Sequence, residues 1–317
     1  MLHSQPADRW LFNLFIGLLF WLPIPLGSNR PWAVALFGCV SLGLLLWWCV
    51  LHVNNRVTLA RSFKKALPVV VLLIGCQAWV FINTYFLNYS AGGTLDPSRS
   101  LQQLTQGLGL TALFCLTLLL LNSKRRIKIV VYTLIVSGIC QAIYGSLMTL
   151  SGIEYVLFLP KESGKGAVTG TFINRNHLAG YLELCLAVGI GFMIASLKDD
   201  AISNWRDFGR RVLTALLGTK ARVRIGLVIM VAALVMTHSR MGNTAFFASM
   251  TIAGVIALIL SKRASKATVI LLTSLILIDI AVVGTFFGVK KVVDRIESTS
   301  LNTTHRDDVD EYALIML

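Results

Sequence analysis

Of the 317 residues, 56% are hydrophobic and only 14% charged, with a mean hydropathy of +0.73 and a formal net charge of +14. Soluble globular chains carry roughly 25% charged residues, so a water-covered surface is excluded for most of this one. Nucleic-acid binding is excluded as well, because the Lys and Arg residues stand in short loops between apolar runs, not in a patch with interleaved aromatics.

The apolar residues come in blocks of about 17–25, the length that crosses a hydrocarbon core of roughly 30 Å. A transmembrane β-barrel would show short alternating segments instead. The expected fold is all-α, a polytopic transmembrane helix bundle in one domain. Nine spans are placed at 11–27, 32–51, 67–87, 104–121, 127–150, 177–197, 222–237, 241–260 and 267–289. The first resembles a signal peptide, with Arg9 before an apolar run. That run leads into Pro23, Pro25 and Gly27 without a small-residue cleavage site, so it is read as an uncleaved span.

Basic residues crowd the N-terminus and the loops at 52–66, 122–128, 198–224 and 261–266, which hold 19 of the 29 Lys and Arg. By the positive-inside rule these segments are cytoplasmic. Within 198–224, Ile202, Trp205, Phe208, Val212 and Leu216 recur at helical spacing with Arg206, Arg210 and Arg211 between them. That pattern predicts an interfacial helix on the cytoplasmic leaflet. The six cysteines (Cys39, Cys49, Cys76, Cys115, Cys140, Cys185) all fall inside spans without a CxxC pair, and are read as small buried apolar residues. After the ninth span, 290–317 is a polar segment that turns apolar at its end and reads as the incomplete start of an outer segment.

Two polar stretches break the apolar background, both on the outer side. The first, Gly170-Thr-Phe-Ile-Asn174-Arg175-Asn176-His177-Leu-Ala-Gly180-Tyr181-Leu-Glu183, leads into the sixth span. Asn174 and Asn176 are good helix caps. A helix start there turns unpaired N–H groups and a positive dipole end outward, which with Arg175 suits a phosphate. The second, Thr237-His238-Ser239-Arg240-Met-Gly242-Asn243, is the turn between the seventh and eighth spans. Ser239 is a cap there, and Arg240 and Asn243 share a helix face. The two helix starts are expected at the same depth, with Arg175 and Arg240 together holding a diphosphate. Glu183, about two turns into its span, is either a partner for an arginine or a functional group, and Asp279 of the ninth span a packing or proton-relay group. No metal-ligand spacing is visible, and no cofactor is expected.

GTFINRNHLAGYLEL resembles the signature segment of the O-antigen ligase and polymerase family of bacterial inner-membrane glycosyltransferases. PLGSNRPW (Pro25 to Trp32) is similar to that family's first outer loop, THSRMGN to its Ser-Arg motif, and His305-Arg306 with Tyr312-Ala-Leu-Ile-Met to its next segment. The resemblance implies a metal-independent, inverting transfer of a glycan from undecaprenyl-diphosphate at the periplasmic face. The acceptor is a hydroxyl of lipid A–core, of a growing glycan or, in one branch, of protein. It implies an inner-membrane location with the N-terminus in the cytoplasm, and membrane lipids as surroundings. Arg175, Arg240 and Arg306 would contact the diphosphate, with Asn174, Asn176 and Ser239 at the helix starts and Glu183 and Asn243 in support. The family's base is a histidine in a long periplasmic loop, expected here beyond Leu317; His177, His238 and His305 are the local alternatives. A flippase or transporter of a lipid-linked saccharide is the rival reading, which would call for broken helices near the midplane and related halves.

Overall fold

The structure is a computed structural model that describes residues 6–87, 93–162, 164–196 and 219–260. Among them are eight α-helices: α1 (Arg9–Trp21), α2 (Pro31–Val53), α3 (Arg61–Tyr85), α4 (Pro97–Leu120), α5 (Lys124–Leu150), α6 (Arg175–Ala195), α7 (Thr219–Met236) and α8 (Arg240–Leu260). One small hairpin joins them, β1 (Tyr155–Val156) with β2 (Leu159–Pro160). The chain divides into two compact units, residues 1–248 and 249–317. Of the second, the described part is the end of α8.

Local chemistry sets where the helices begin and end. α1 stops at Trp21, six residues short of the expected bound of the first span, because Pro23 and Pro25 have no N–H to continue the ladder. At 13 residues it is about 20 Å long, less than a hydrocarbon core. α4 begins at Pro97, seven residues before the expected 104. Asp96 accepts the Arg99 N–H (3.0 Å) and Pro97 occupies the first helical position. Ser123 caps α5 by accepting from Arg126 N–H (3.3 Å). The expected interfacial helix at 198–224 lies outside the described residues, except that 219–224 form the first turns of α7. The expected span at 267–289 and Asp279 also lie outside them.

Five helices, α2 to α6, are long and apolar enough to cross a membrane. Their outer surfaces fit that medium. Leu67, Leu72 and Ile74 of α3, Leu46 and Val50 of α2, and Leu147 of α5 are all exposed, large apolar side chains that a soluble monomer would mostly bury. Amphipathic aromatics stand exposed near the helix ends, Trp10 at one end and Trp32 and Tyr85 at the other, as at the two faces of a bilayer. The cysteines are free, but only Cys115 and Cys185 are buried. Cys39, Cys49, Cys76 and Cys140 sit on the exposed faces of their helices, which corrects the reading of all six as buried. A thiol costs little in lipid, so it is tolerated on either side of an apolar helix.

Two clusters form the interior of the first unit. Leu11, Phe15 and Leu18 of α1 pack with Phe37, Leu44 and Trp48 of α2 and Leu116 and Leu120 of α4. In the second, α5, α6 and α7 pack mutually, with α1 reaching α5 from the other cluster. A Cβ at Gly138 of α5 would stand 2.8 Å from Cys185 Cβ and 2.6 Å from Met230 Sδ. Such close approach is how helices associate where lipid removes the hydrophobic drive between them. α3 lies outermost, packed on α4, with Val70 its one buried residue.

The bundle has two distinct ends. One gathers the starts of α1, α3 and α5 with the ends of α2 and α4. There Arg126 NH1 donates to Asp8 Oδ2 (2.8 Å) and to Leu120 O (3.1 Å), its second nitrogen pairs with Asp8 Oδ1, and its guanidinium lies over the Phe12 ring. Ser62 Oγ donates to Leu118 O (2.8 Å). Arg9, Arg56, Arg61, Lys64, Lys65 and the cations of 124–128 share this end, with Asp8 as its acid among the described residues. The opposite end gathers the segments 22–30, 151–174 and 237–239.

Candidate functional site

Three segments far apart in sequence meet at this second end. Thr171 Oγ1 donates to Pro23 O (2.6 Å) and its N–H donates to Gln141 Oε1 (3.0 Å). The Phe172 ring lies against Gly27, whose left-handed φ of +67 is the centre of a tight turn through Leu26–Ser28. Val168 N–H donates to Met236 O (2.9 Å), fastening the same loop to the end of α7. The segments 25–32, 170–183 and 237–243, singled out separately from the sequence, thus come together at this end.

Gln141 is the hub. It is 4% exposed and lies halfway along the second half of α5. Gly170, with φ +56, brings its backbone so near that a Cβ would sit 2.7 Å from Gln141 Oε1. Buried polar groups are retained where each has a partner, and this one places the turn from which α6 starts. Asn174 then caps α6, accepting the Asn176 N–H at 2.8 Å. Asn174, Arg175, Asn176 and His177 are all exposed, so the helix start and its cation face outward together.

α8 starts beside α6. Ser239 is buried and accepts the Gly242 N–H (3.2 Å), the cap expected for it. A Cβ on Gly242 would lie 2.7 Å from Ala179 Cβ and 2.9 Å from Glu183 Oε1. The first turn of α8 therefore packs on α6 at Ala179 and Glu183, one to two helical turns past Arg175. The turn Thr237–Ser239 that leads into α8 carries His238 at a left-handed φ of +52. The side chain of Arg240, which opens α8, lies outside what the structure describes, as do His305 and Arg306. Among the described residues Glu183 makes no ion pair; its carboxylate meets the α8 N-terminus, where a negative charge is favoured. Asn243 Oδ1, one turn into α8, is buried without a hydrogen-bond partner among the described residues.

Two cations were not singled out from the sequence. Arg30 is exposed at the start of α2, three residues after Gly27. Lys161 is 7% exposed and donates to Ala167 O (2.5 Å), with Glu154 Oε2 at 3.7 Å. Burial pushes its ammonium below the ordinary range. Glu154 opposes that shift, and Arg175 is near enough to add to it. Arg30 stood within a stretch already noticed, PLGSNRPW. Lys161 carried no signal, since nothing in a loop sequence separates a folded-in lysine from a solvated one. No group of three or more His, Cys, Asp and Glu that could hold a metal occurs among the described residues.

Compared with protein-family models, curated proteins and solved structures, the chain shows no significant match to any.

Proposed function

We propose that this chain is a metal-independent, inverting glycosyltransferase of the O-antigen ligase and polymerase type. It takes a glycan from undecaprenyl-diphosphate and delivers it to a hydroxyl of lipid A–core or of a growing glycan at the periplasmic face. The observation that carries the reading is the meeting of 25–32, 168–183 and 237–243 at one end, with two capped helix starts side by side. Those starts open with Arg175 and Arg240, and helix N-termini with arginine forks favour a diphosphate.

The chemistry follows from that arrangement. The acceptor oxygen attacks the anomeric carbon as the bond to the diphosphate oxygen breaks, so the undecaprenyl-diphosphate leaves with the electron pair. Arg175 and Arg240 neutralise the charge that develops on it. His177, exposed two residues after Arg175, and His238, in the turn before Arg240, are the candidates among the described residues to take the hydroxyl proton. In this reading the cation-rich end lies in the cytoplasm of a bacterial inner membrane and the site faces the periplasm.

The activity test is glycan transfer from undecaprenyl-diphosphate by the complete protein in membranes, with expression matched. Arg175→Ala and Arg240→Ala should each lower the rate on the order of 10²-fold or more, and EDTA should leave it unchanged. Near-normal transfer by both variants would reduce the two arginines to headgroup anchors. Orientation has a separate test. A reporter active only outside the cytoplasm should work when fused after Glu162 and fail after Asn122; the reverse would put the site on the wrong face.

A further inference from the structure

The hairpin between α5 and α6 has a composition that water does not explain. Tyr155 pairs with Pro160 and Val156 with Leu159, leaving a two-residue turn of Leu157 and Phe158. Such turns favour Asn and Gly because left-handed φ angles are needed. Here Leu157 takes φ +57 and Glu154 φ +48, conformations that cost free energy in residues with a side chain. The result is an apolar tip: Phe158 is 93% exposed, and Ile153, Tyr155 and Leu159 are exposed around it. Val156, the strand partner of Leu159, is buried, and so is Lys161 just after the second strand.

The hairpin is also held in place. The Leu157 N–H donates to the Tyr144 hydroxyl (2.8 Å), which donates in turn to Tyr155 O (3.2 Å). The apolar face is thus presented by a fixed element tied to α5. What it continues is the exposed stripe of that helix. Val136, Ile143, Leu147 and Leu150 recur at spacings of seven, four and three and are all exposed, Leu150 at 72%, which is one face of a membrane-crossing helix. From Ile129, past the last cation of the first turn, to Leu150 the helix runs about 33 Å, one hydrocarbon thickness. The stripe therefore reaches the membrane boundary at Leu150, and the exposed apolar residues Ile153 and Phe158 follow it within eight residues, in a hairpin bonded to Tyr144 of the same helix.

We propose that the hairpin Tyr155–Pro160 is an interfacial anchor, with its Phe158 tip and the neighbouring Leu159 and Ile153 inserted among the phospholipid acyl chains of the leaflet where α5 ends. It rests on the membrane reading of the helices and not on the glycan-transfer reading. Its consequence for the loop is positional: residues 164–175 are held at headgroup depth, where a lipid-linked diphosphate lies.

The test uses the complete protein in nanodiscs of dioleoylphosphatidylcholine or of its dibrominated counterpart, whose bromines quench tryptophan in the acyl region. Phe158→Trp is compared with the parent by difference emission, with Leu159→Trp as a second exposed position beside it and Lys165→Trp as a water-facing control. At 158 and 159 the added emission should be blue-shifted and at least halved by brominated lipid, with Lys165→Trp unaffected. Emission at water wavelengths, insensitive to bromine, would overturn the proposal. So would blue-shifted emission that brominated lipid leaves intact, since the face would then be covered by protein. Neither result depends on glycan transfer.

Discussion

At the cation-rich end, helix starts need a capping serine or a turn, and most of the charges stand in water; one buried pair, Asp8 with Arg126, ties α1, α4 and α5 together. At the opposite end the same chain folds three distant segments over one another through Thr171, Gln141, Pro23 and Val168, with left-handed turns at Leu26–Ser28, Gly170 and His238. The first end is a matter of composition, because orientation is decided by how many cations each short loop carries. The second depends on which carbonyl meets which amide. That contrast explains why candidate function gathers where the loops are structured: a site needs groups held in place, while a topological signal needs only charge.

The comparison can be broken first at the buried pair. Asp8→Ala would leave Arg126, 5% exposed, without its carboxylate. Removing one partner of a buried pair costs about 3–5 kcal/mol, so the melting temperature in detergent should fall clearly. The double change Asp8→Leu with Arg126→Met should recover most of that loss, and an unchanged melting temperature in Asp8→Ala would show the pair to be dispensable. At the opposite end, in the proposed reading, the same removal of charge should spare folding and lower glycan transfer on the order of 10²-fold. Arg175→Lys sharpens the point, because an ammonium keeps the charge but not the planar fork. Transfer should fall nearly as far as in Arg175→Ala, on the order of 10²-fold, with the melting temperature unmoved.

Smaller effects separate scaffold from site. Gln141→Leu removes the acceptor of the Thr171 N–H and should cost about 1–3 kcal/mol in thermal unfolding. Transfer should drop along with it, because the turn that starts α6 loses its support. Gly170→Ala should cost about 1–2 kcal/mol, from the left-handed φ and the contact with Gln141. Gly180→Ala is the counterpart with least effect. Its Cβ meets nothing within 4 Å, so stability should stay level or rise by up to about 1 kcal/mol from helix propensity. A large loss at Gly180 would mean that something outside the described residues packs there.

Hydrophobic run length was sufficient to mark α2 to α6, since a helix is the cheapest way to satisfy a backbone in lipid and needs no knowledge of its neighbours. The caps at Asn174 and Ser239 were legible for the same reason: a cap acts within three residues. Pro23 and Pro25 were present in the sequence too, yet the apolar run continued past them and the first span was drawn too long. Which of the four cations at 124–128 turns inward to Asp8 was not legible, because the partner lies 118 residues away. The same holds for Lys161, for Gln141 beneath Thr171, and for the contact of α8 with Ala179 and Glu183. Short-range rules act through a few bonds and can be read along the chain. Pairings between segments arise only when packing brings them together, and in this protein the candidate site is made almost entirely of such pairings.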